Sequence, residues 1–233
     1  NEVLMHGFTT MGDGSKMSKS KGNIVEPEEA IDAAGRDPLR CYLLSHEQQE
    51  KNLAFEWDGL HEMQSTLNIL WNVFRFPLPY MELDGYDPAD PDVHGADLEV
   101  VDEWVLSRLQ TVKAEMDDAW DDYEVDDALN ALLDFVTQDV SRFYVKAIRE
   151  RMWEDEDSAS KRAAYDTMAT VLGEVTRLLA PYAPYLTERM YQHLDGEATT
   201  VHQLASPEVD DDLRDEQLET DMAVLRDVEE AAA

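Results

Sequence analysis

The sequence predicts a mainly α protein: an antiparallel helical bundle preceded by a small α/β segment. Three observations carry this. From Trp57 onward, apolar residues recur at helical spacing, as in Leu60, Met63, Leu67, Leu70, Trp71 and Phe74. Proline, glycine and aspartate punctuate these stretches with short loops, which makes consecutive helices antiparallel neighbours. Ahead of them, an apolar run at residues 3–8 leads into a loop containing glycine and serine, a pattern of strand then turn.

In chain order, residues 3–8 are expected to form a strand through their Val and Phe content, and Thr9 to Asn23 a loop. Pro27 at a first helical position, Glu28 and Glu29 in the first turn and Gly35 beyond the end predict a helix over 27–34. Asp37-Pro38 opens another, with Leu39, Tyr42 and Leu43 on its apolar side. The helix from Trp57 ends at Pro77 and Pro79, and residues 77–97 read as a loop. Further helices are expected at about 99–120, 125–153, 159–180, 184–194 and 215–231. Tyr123-Glu124-Val125 breaks the first from the second, Ser158 caps the third, Pro181 stops it and Pro184 opens the fourth. Residues 196–214 read as irregular, with an extended piece near Thr200–Leu204. The divisions that follow are 1–56, 57–195 and 196–233.

The 233 residues hold 52 Asp and Glu against 19 Lys and Arg, a net charge of −33. The charges alternate with periodic apolar residues, so a disordered acidic tail does not fit. Adaptation to high salt fits better than a basic partner: the surface is acidic, lysine is scarce and salt screens self-repulsion. Cys41, the single cysteine, excludes an internal disulfide and a multi-cysteine zinc site; in an apolar helix it reads as core. It also fits a reducing, cytoplasmic interior. The scattered histidines show no metal-like clustering, so no metal site is expected in this segment. No run approaches the roughly 18 apolar residues of a membrane span. Asn1–Phe8 reads as a strand already under way, which predicts a piece from the C-terminal side of a longer protein.

Against that acidity, three of only seven lysines fall in Lys16-Met17-Ser18-Lys19-Ser20-Lys21. Two lysines three apart in a turn can reach one polyphosphate from two sides, each as a point charge on a flexible stem. Ser18 and Ser20 can bond phosphate oxygens or brace the loop, Met17 can pack on a nucleobase, and Gly22 permits close backbone approach.

Lys16–Ser20, with His6-Gly7-Phe8 before it, Gly22-Asn23 after it and Pro27 opening a helix, resembles the nucleotide-binding loop of class I aminoacyl-tRNA synthetases. It is most similar to the isoleucine, valine, leucine and methionine branch. The resemblance continues through Asp37–Ser45, Asn68–Val73, Asp102–Leu109, Phe143–Val145, Leu179–Glu188 and Val201–Leu204. It is closest to isoleucine enzymes of an archaeal, salt-adapted type, with valine or leucine enzymes as the alternative. It implies that the first segment is the end of a Rossmann-like catalytic domain and the bundle an anticodon-binding domain. It further implies that Lys16, Met17, Ser18, Lys19 and Ser20 bind ATP, that Lys16 and Lys19 stabilise the pyrophosphate leaving group, and that Mg2+ accompanies ATP in the parent enzyme. The His-x-Gly-His half of the ATP site, the amino-acid pocket and the editing domain are not in this sequence. The segment alone is therefore expected to be inactive and the loop disordered, with isoleucine meeting the missing catalytic half.

For the tRNA anticodon stem-loop, Arg142, Lys146 and Arg149 fall at i, i+4 and i+7 of one predicted helix, with Arg151 nearby. The alternative is a helix face ion-paired to Glu150 and Glu154. Phe143 and Tyr144 read as core, and Arg75, Arg108, Lys161 and Arg162 are outlying candidates. A monomer is expected. Two other classes compete: a nucleotidylyltransferase, which the long helices count against, and a non-enzymatic acidic helical interaction module.

Overall fold

The computed structural model describes residues 7–46, 51–88, 90, 95, 97–194 and 199–232. Two short strands, β1 (Thr9–Met11) and β2 (Leu53–Phe55), pair in parallel with Thr10 opposite Ala54. Between them lie the lysine loop, α1 (Pro27–Ala34) and α2 (Arg36–Leu44). The bundle follows: α3 (Trp57–Arg75), α4 (Leu78–Leu83), α5 (Val100–Asp121), a long rod from Val125 to Trp153, α8 (Ala159–Leu179) and α9 (Pro184–Leu194). A last helix, α10 (Glu216–Ala232), lies on α5. The mainly α architecture is the expected one.

Three elements differ from expectation. Of the strand expected at 3–8, residues 3–6 lie outside the described residues, and the observed strand starts at Thr9. The loop expected at 77–97 contains α4: the Pro77 carbonyl accepts from Tyr80 and Met81 N–H, both at 3.0 Å, and Met81 is buried. Proline here starts a helix as well as ending one. Near Thr200 the chain forms a 3-10 turn, Val201–Gln203, in place of an extended piece. The Glu188 carboxylate accepts from the Thr200 hydroxyl at 2.7 Å and from Val201 N–H at 3.1 Å, which folds the segment back on α9.

The rod is α-helical at Val125–Asp134 (α6) and Val145–Trp153 (α7), but Phe135–Tyr144 between them is a π-helix. Its buried residues explain why. Leu132, Val136, Val140, Tyr144 and Ile148 recur every four residues. In an α-helix each four-residue step drifts by about 40°. The i→i+5 bonding of a π segment widens the turn and keeps the stripe facing inward. Between α5 and α6, Tyr123 takes a left-handed φ of 60°, and Glu124 N–H bonds the Ala119 carbonyl at 2.8 Å. That is a helix-terminating turn at the predicted break.

The core runs through all the long helices around Trp104, Tyr144, Tyr165, Phe74 and Leu109. At its centre sits a charged node. Asp102 is fully buried, accepts from the Tyr144 hydroxyl at 2.6 Å and forms a bidentate pair with Arg151 at 3.0 and 2.8 Å. Cys41 is wholly buried, and burial pushes its thiol up to about 12, so it is inert core as expected.

Candidate nucleotide loop and nucleic-acid surface

β1 delivers the chain into the loop. Thr10 bridges Lys16, Gly14 N–H bonds the Met11 carbonyl at 2.8 Å, and the Asp13 carboxylate accepts from Ser15 N–H at 2.8 Å. A second turn follows. Ser18 N–H bonds the Asn23 carbonyl at 3.2 Å, Lys19–Lys21 form one 3-10 turn, and Gly22 closes it at φ 71°, a conformation that favours glycine. The Asn23 amide donates to the Lys16 carbonyl at 3.2 Å, tying the two ends together. These bonds set the path of the loop between β1 and α1.

The side chains divide by role. The Ser18 and Ser20 hydroxyls lie 3.0 Å apart and brace each other. Met17 is half-buried against the core. Lys16, Lys19 and Lys21 are exposed, and Lys19 meets Glu26 at 3.3 Å with its side chain 78% exposed. An exposed pair of that kind holds Lys19 weakly. The loop can therefore offer two or three solvated ammonium groups to an incoming polyphosphate. Among the described residues no group of three or more His, Cys, Asp or Glu could hold a metal ion.

The strip on the rod is less open than its spacing implies. Arg142, Lys146 and Arg149 are exposed. Arg142 donates to Gln138 at 2.9 Å, Lys146 pairs with Glu229 of α10, and Arg149 lies 5.8 Å over the Trp153 ring. Arg151 does not join them: it is buried in the Asp102 node and also donates to the Ser160 carbonyl. The expectation that Arg151 contacts tRNA is corrected, because two residues after Arg149 a helix has turned inward. Tyr144 is core and Phe143 packs edge-on to Trp104 at 5.0 Å, as their spacing predicts. Arg108, Lys161 and Arg162 are held by Glu219 and Asp139, by Asp84 and by Asp157 respectively.

A different surface is better equipped. A cavity of about 530 Å³ opens between α2, α3 and α9. Asn68 and Trp71 come from α3, Tyr185 and Arg189 from α9, and Arg36 from α2. Tyr185 is 65% exposed, and Trp71 is half-exposed and stacked on Phe74 at 5.4 Å. Arg36 and Arg189 are exposed, and no ion pair engages either among the described residues. Sequence reasoning missed this set because it joins three segments about 30 and 115 positions apart. The one available signal was an exposed aromatic, Tyr185, just after a helix-opening proline.

Two family models match the chain. That described as the anticodon-binding domain of tRNA ligase covers residues 102–233, and that described as class I tRNA synthetases (I, L, M and V) covers residues 1–56. The chain belongs to the tRNA ligase anticodon-binding family. It is 70% identical over 232 residues to the isoleucine–tRNA ligase of Haloquadratum walsbyi, and 54% identical over 244 residues to that of Halobacterium salinarum. All of the chain is covered in both, but only 22% and 23% of those relatives, so it spans under a quarter of their length. Among solved structures it matches the Agrobacterium radiobacter K84 LeuRS–tRNA–LeuAMS ternary complex at TM-score 0.69 and 22% identity, over 90% of this chain and 24% of that one. Mycobacterium tuberculosis methionyl-tRNA synthetase bound by methionyl-adenylate matches at TM-score 0.66 and 22% identity, over 80% and 37%. These structural likenesses establish the fold. The family agrees with the resemblance seen in the loop, and the halophile relatives agree with the charge.

Proposed function

We propose that this chain is the segment of an isoleucine–tRNA ligase that carries the nucleotide loop and reads the tRNA anticodon. The observation that carries this is 70% identity along the whole chain to an isoleucine–tRNA ligase. Residues 1–56 close the catalytic domain, 57–195 form the anticodon-binding bundle and 196–233 an extension. The parent protein activates isoleucine with ATP and transfers it to its tRNA in the cytoplasm, acting as a monomer, with Mg2+ entering alongside the nucleotide.

Within that reading, Lys16 and Lys19 stabilise the charge that develops on the pyrophosphate leaving group, a purely electrostatic contribution. Their exposure and weak pairing support this, as does the way the backbone of the loop is fixed at Thr10 and Asn23. Met17, Ser18 and Ser20 shape the loop around the nucleotide.

The anticodon bases are assigned to the cavity between α3 and α9. Single-stranded bases are held by stacking on aromatics and by hydrogen bonds to their edges. Trp71 and Tyr185 supply the first, while Asn68, Arg36 and Arg189 supply the second together with phosphate contacts. In molar salt the Debye length is about 3 Å, so exposed point charges contribute little and stacking survives. Arg142, Lys146 and Arg149 then serve as outer contacts to the tRNA backbone.

A shift assay in molar KCl with isoleucine and valine tRNAs tests the reading. Binding that favours isoleucine tRNA is expected. No affinity for either tRNA would leave only a helical interaction module.

A further inference from the structure

α2 is nine residues long and is bonded at both ends to what matters. At its start, the Asp37 carboxylate accepts from Leu186 N–H at 2.6 Å and from Tyr185 N–H at 3.4 Å. These are orphan donors of the first turn of α9. The residue before α9 is Ala183, with no side chain able to cap it, so the cap comes from another segment. One turn on, the Arg40 guanidinium donates to the Pro181 carbonyl at 2.9 Å and the Tyr182 carbonyl at 3.2 Å, just beyond the C-terminus of α8. Each charge is placed where the helix dipole favours it. Burial raises the Asp37 pKa, and the N–H bonds from Leu186 and Tyr185 work against that rise.

At its other end, the Tyr42 hydroxyl accepts from Glu56 N–H at 2.9 Å and donates to the Ala54 carbonyl at 3.4 Å. Ala54 is paired with Thr10 of β1, and Thr10 bridges Lys16. A Cβ on Gly59 would come within 2.7 Å of the Tyr42 ring, so the ring is tightly seated. One continuous set of bonds therefore joins the α8–α9 corner to the lysine loop. Asp37 also lines the cavity beside Tyr185, so a molecule entering there touches the clamp itself.

We propose that α2 couples the cavity to the nucleotide loop, with Asp37 and Arg40 as positioning residues at one end and Tyr42 at the other. RNA seated on Tyr185 and Trp71 fixes the α8–α9 corner, the corner fixes α2, and α2 steadies β2, β1 and Lys16. This rests on the cavity being the RNA site.

The test uses the lysines. Lys16, Lys19 and Lys21 are exposed in the loop, Lys51 and Lys146 are exposed elsewhere, and Lys113 and Lys161 are buried, so nicks by a lysine-specific protease report on the loop once they are separated by mass. The 233-residue chain is digested in molar KCl with and without an anticodon stem-loop RNA of isoleucine tRNA, and the nicks are read by mass. RNA is expected to slow nicking at these three lysines by about fivefold, the low end of coupling between sites. In Tyr42→Phe, a change outside the cavity, RNA still binds but the slowing disappears. Asp37→Asn, which keeps an acceptor oxygen, retains it. Equal slowing in Tyr42→Phe would mean that the RNA merely shields the loop and would overturn the coupling. So would bound RNA with no slowing in the unaltered chain. If RNA does not bind, or binds as tightly to Trp71→Ala, the cavity assignment itself falls and the coupling falls with it.

Discussion

The cations of the lysine loop and those of the bundle interior are the same residue types put to opposite uses. In the bundle, Arg108, Lys113, Arg151 and Lys161 are each locked to carboxylates of the chain, Lys113 to Glu174 at 2.9 Å and Lys161 to Asp84 at 2.5 Å. In the loop, Lys16, Lys19 and Lys21 stand in solvent, with one exposed carboxylate near Lys19. A chain with a surplus of carboxylates neutralises any cation it buries. Some exposed cations, such as Arg40, are still held by backbone carbonyls, whereas the loop lysines stand in solvent where an outside anion can reach them.

The comparison predicts a clean separation between stability and function. The largest effect is expected at the buried node. Asp102→Ala leaves Arg151 charged and unpaired in the core, and a loss of about 3–5 kcal/mol is expected. Denaturant unfolding in molar KCl measures it. A loss below about 1 kcal/mol, the range of surface pairs, would show that the node is solvated and that the buried and exposed cations do not differ in kind.

On the proposed function, Lys16→Ala and Lys19→Ala in the full-length protein should each lower ATP–pyrophosphate exchange by about 10²–10³-fold, the usual cost of removing one preorganised charge stabiliser. Their unfolding midpoints should not move. A shifted midpoint with normal exchange would reverse the assignment of loop and core.

Next in size is the cavity. Trp71→Ala and Tyr185→Ala should each weaken binding of the anticodon stem-loop by about 1–3 kcal/mol, the worth of a stacked base. The loss should persist in molar KCl, because stacking is not screened. A loss that vanishes at high salt would move the bases elsewhere.

How much of this could be seen in the sequence follows the same division. The loop was legible because its residues are contiguous and their charge contrasts with the rest. The long helices were legible because burying one face imposes a period. The π segment was legible in principle, since Leu132, Val136, Val140 and Tyr144 keep a four-residue step that no α-helix can hold in line. Arg151 was misplaced because chain proximity to Arg149 does not give its azimuth, and its partner Asp102 lies 49 positions away. The cavity and the α2 clamp were not legible, since Asp37 and Leu186 are 149 residues apart and meet only once the bundle closes.

A pH prediction sharpens the comparison within the bundle. The hydrogen bond from Lys161, then that from Tyr165, holds the Asp84 carboxyl below its usual value. A carboxylate lowered in the folded state adds stability that is full above its unfolded pKa and is lost as pH falls through the folded one. Asp84→Asn should therefore be less stable than the unaltered chain at neutral pH, and the gap should close as pH drops below the ordinary carboxylate range of about 4. Thermal unfolding across that range is the measurement. A gap that stays constant with pH would place the effect in packing.

The smallest effect is expected at Lys146, where the two classes of cation meet. It is exposed like the loop lysines, its side chain 66% accessible, yet it is paired to Glu229 of α10 like the interior ones. Because both partners are exposed, Lys146→Ala should change stability by well under 1 kcal/mol. Its effect on tRNA should appear in the salt dependence. A backbone phosphate contact contributes a slope of roughly 0.7–0.9 in log K against log salt, so the variant's slope should fall by about that amount with little change in molar KCl. If the slope is unchanged, Glu229 already neutralises Lys146, and this cation belongs with the interior set despite its exposure.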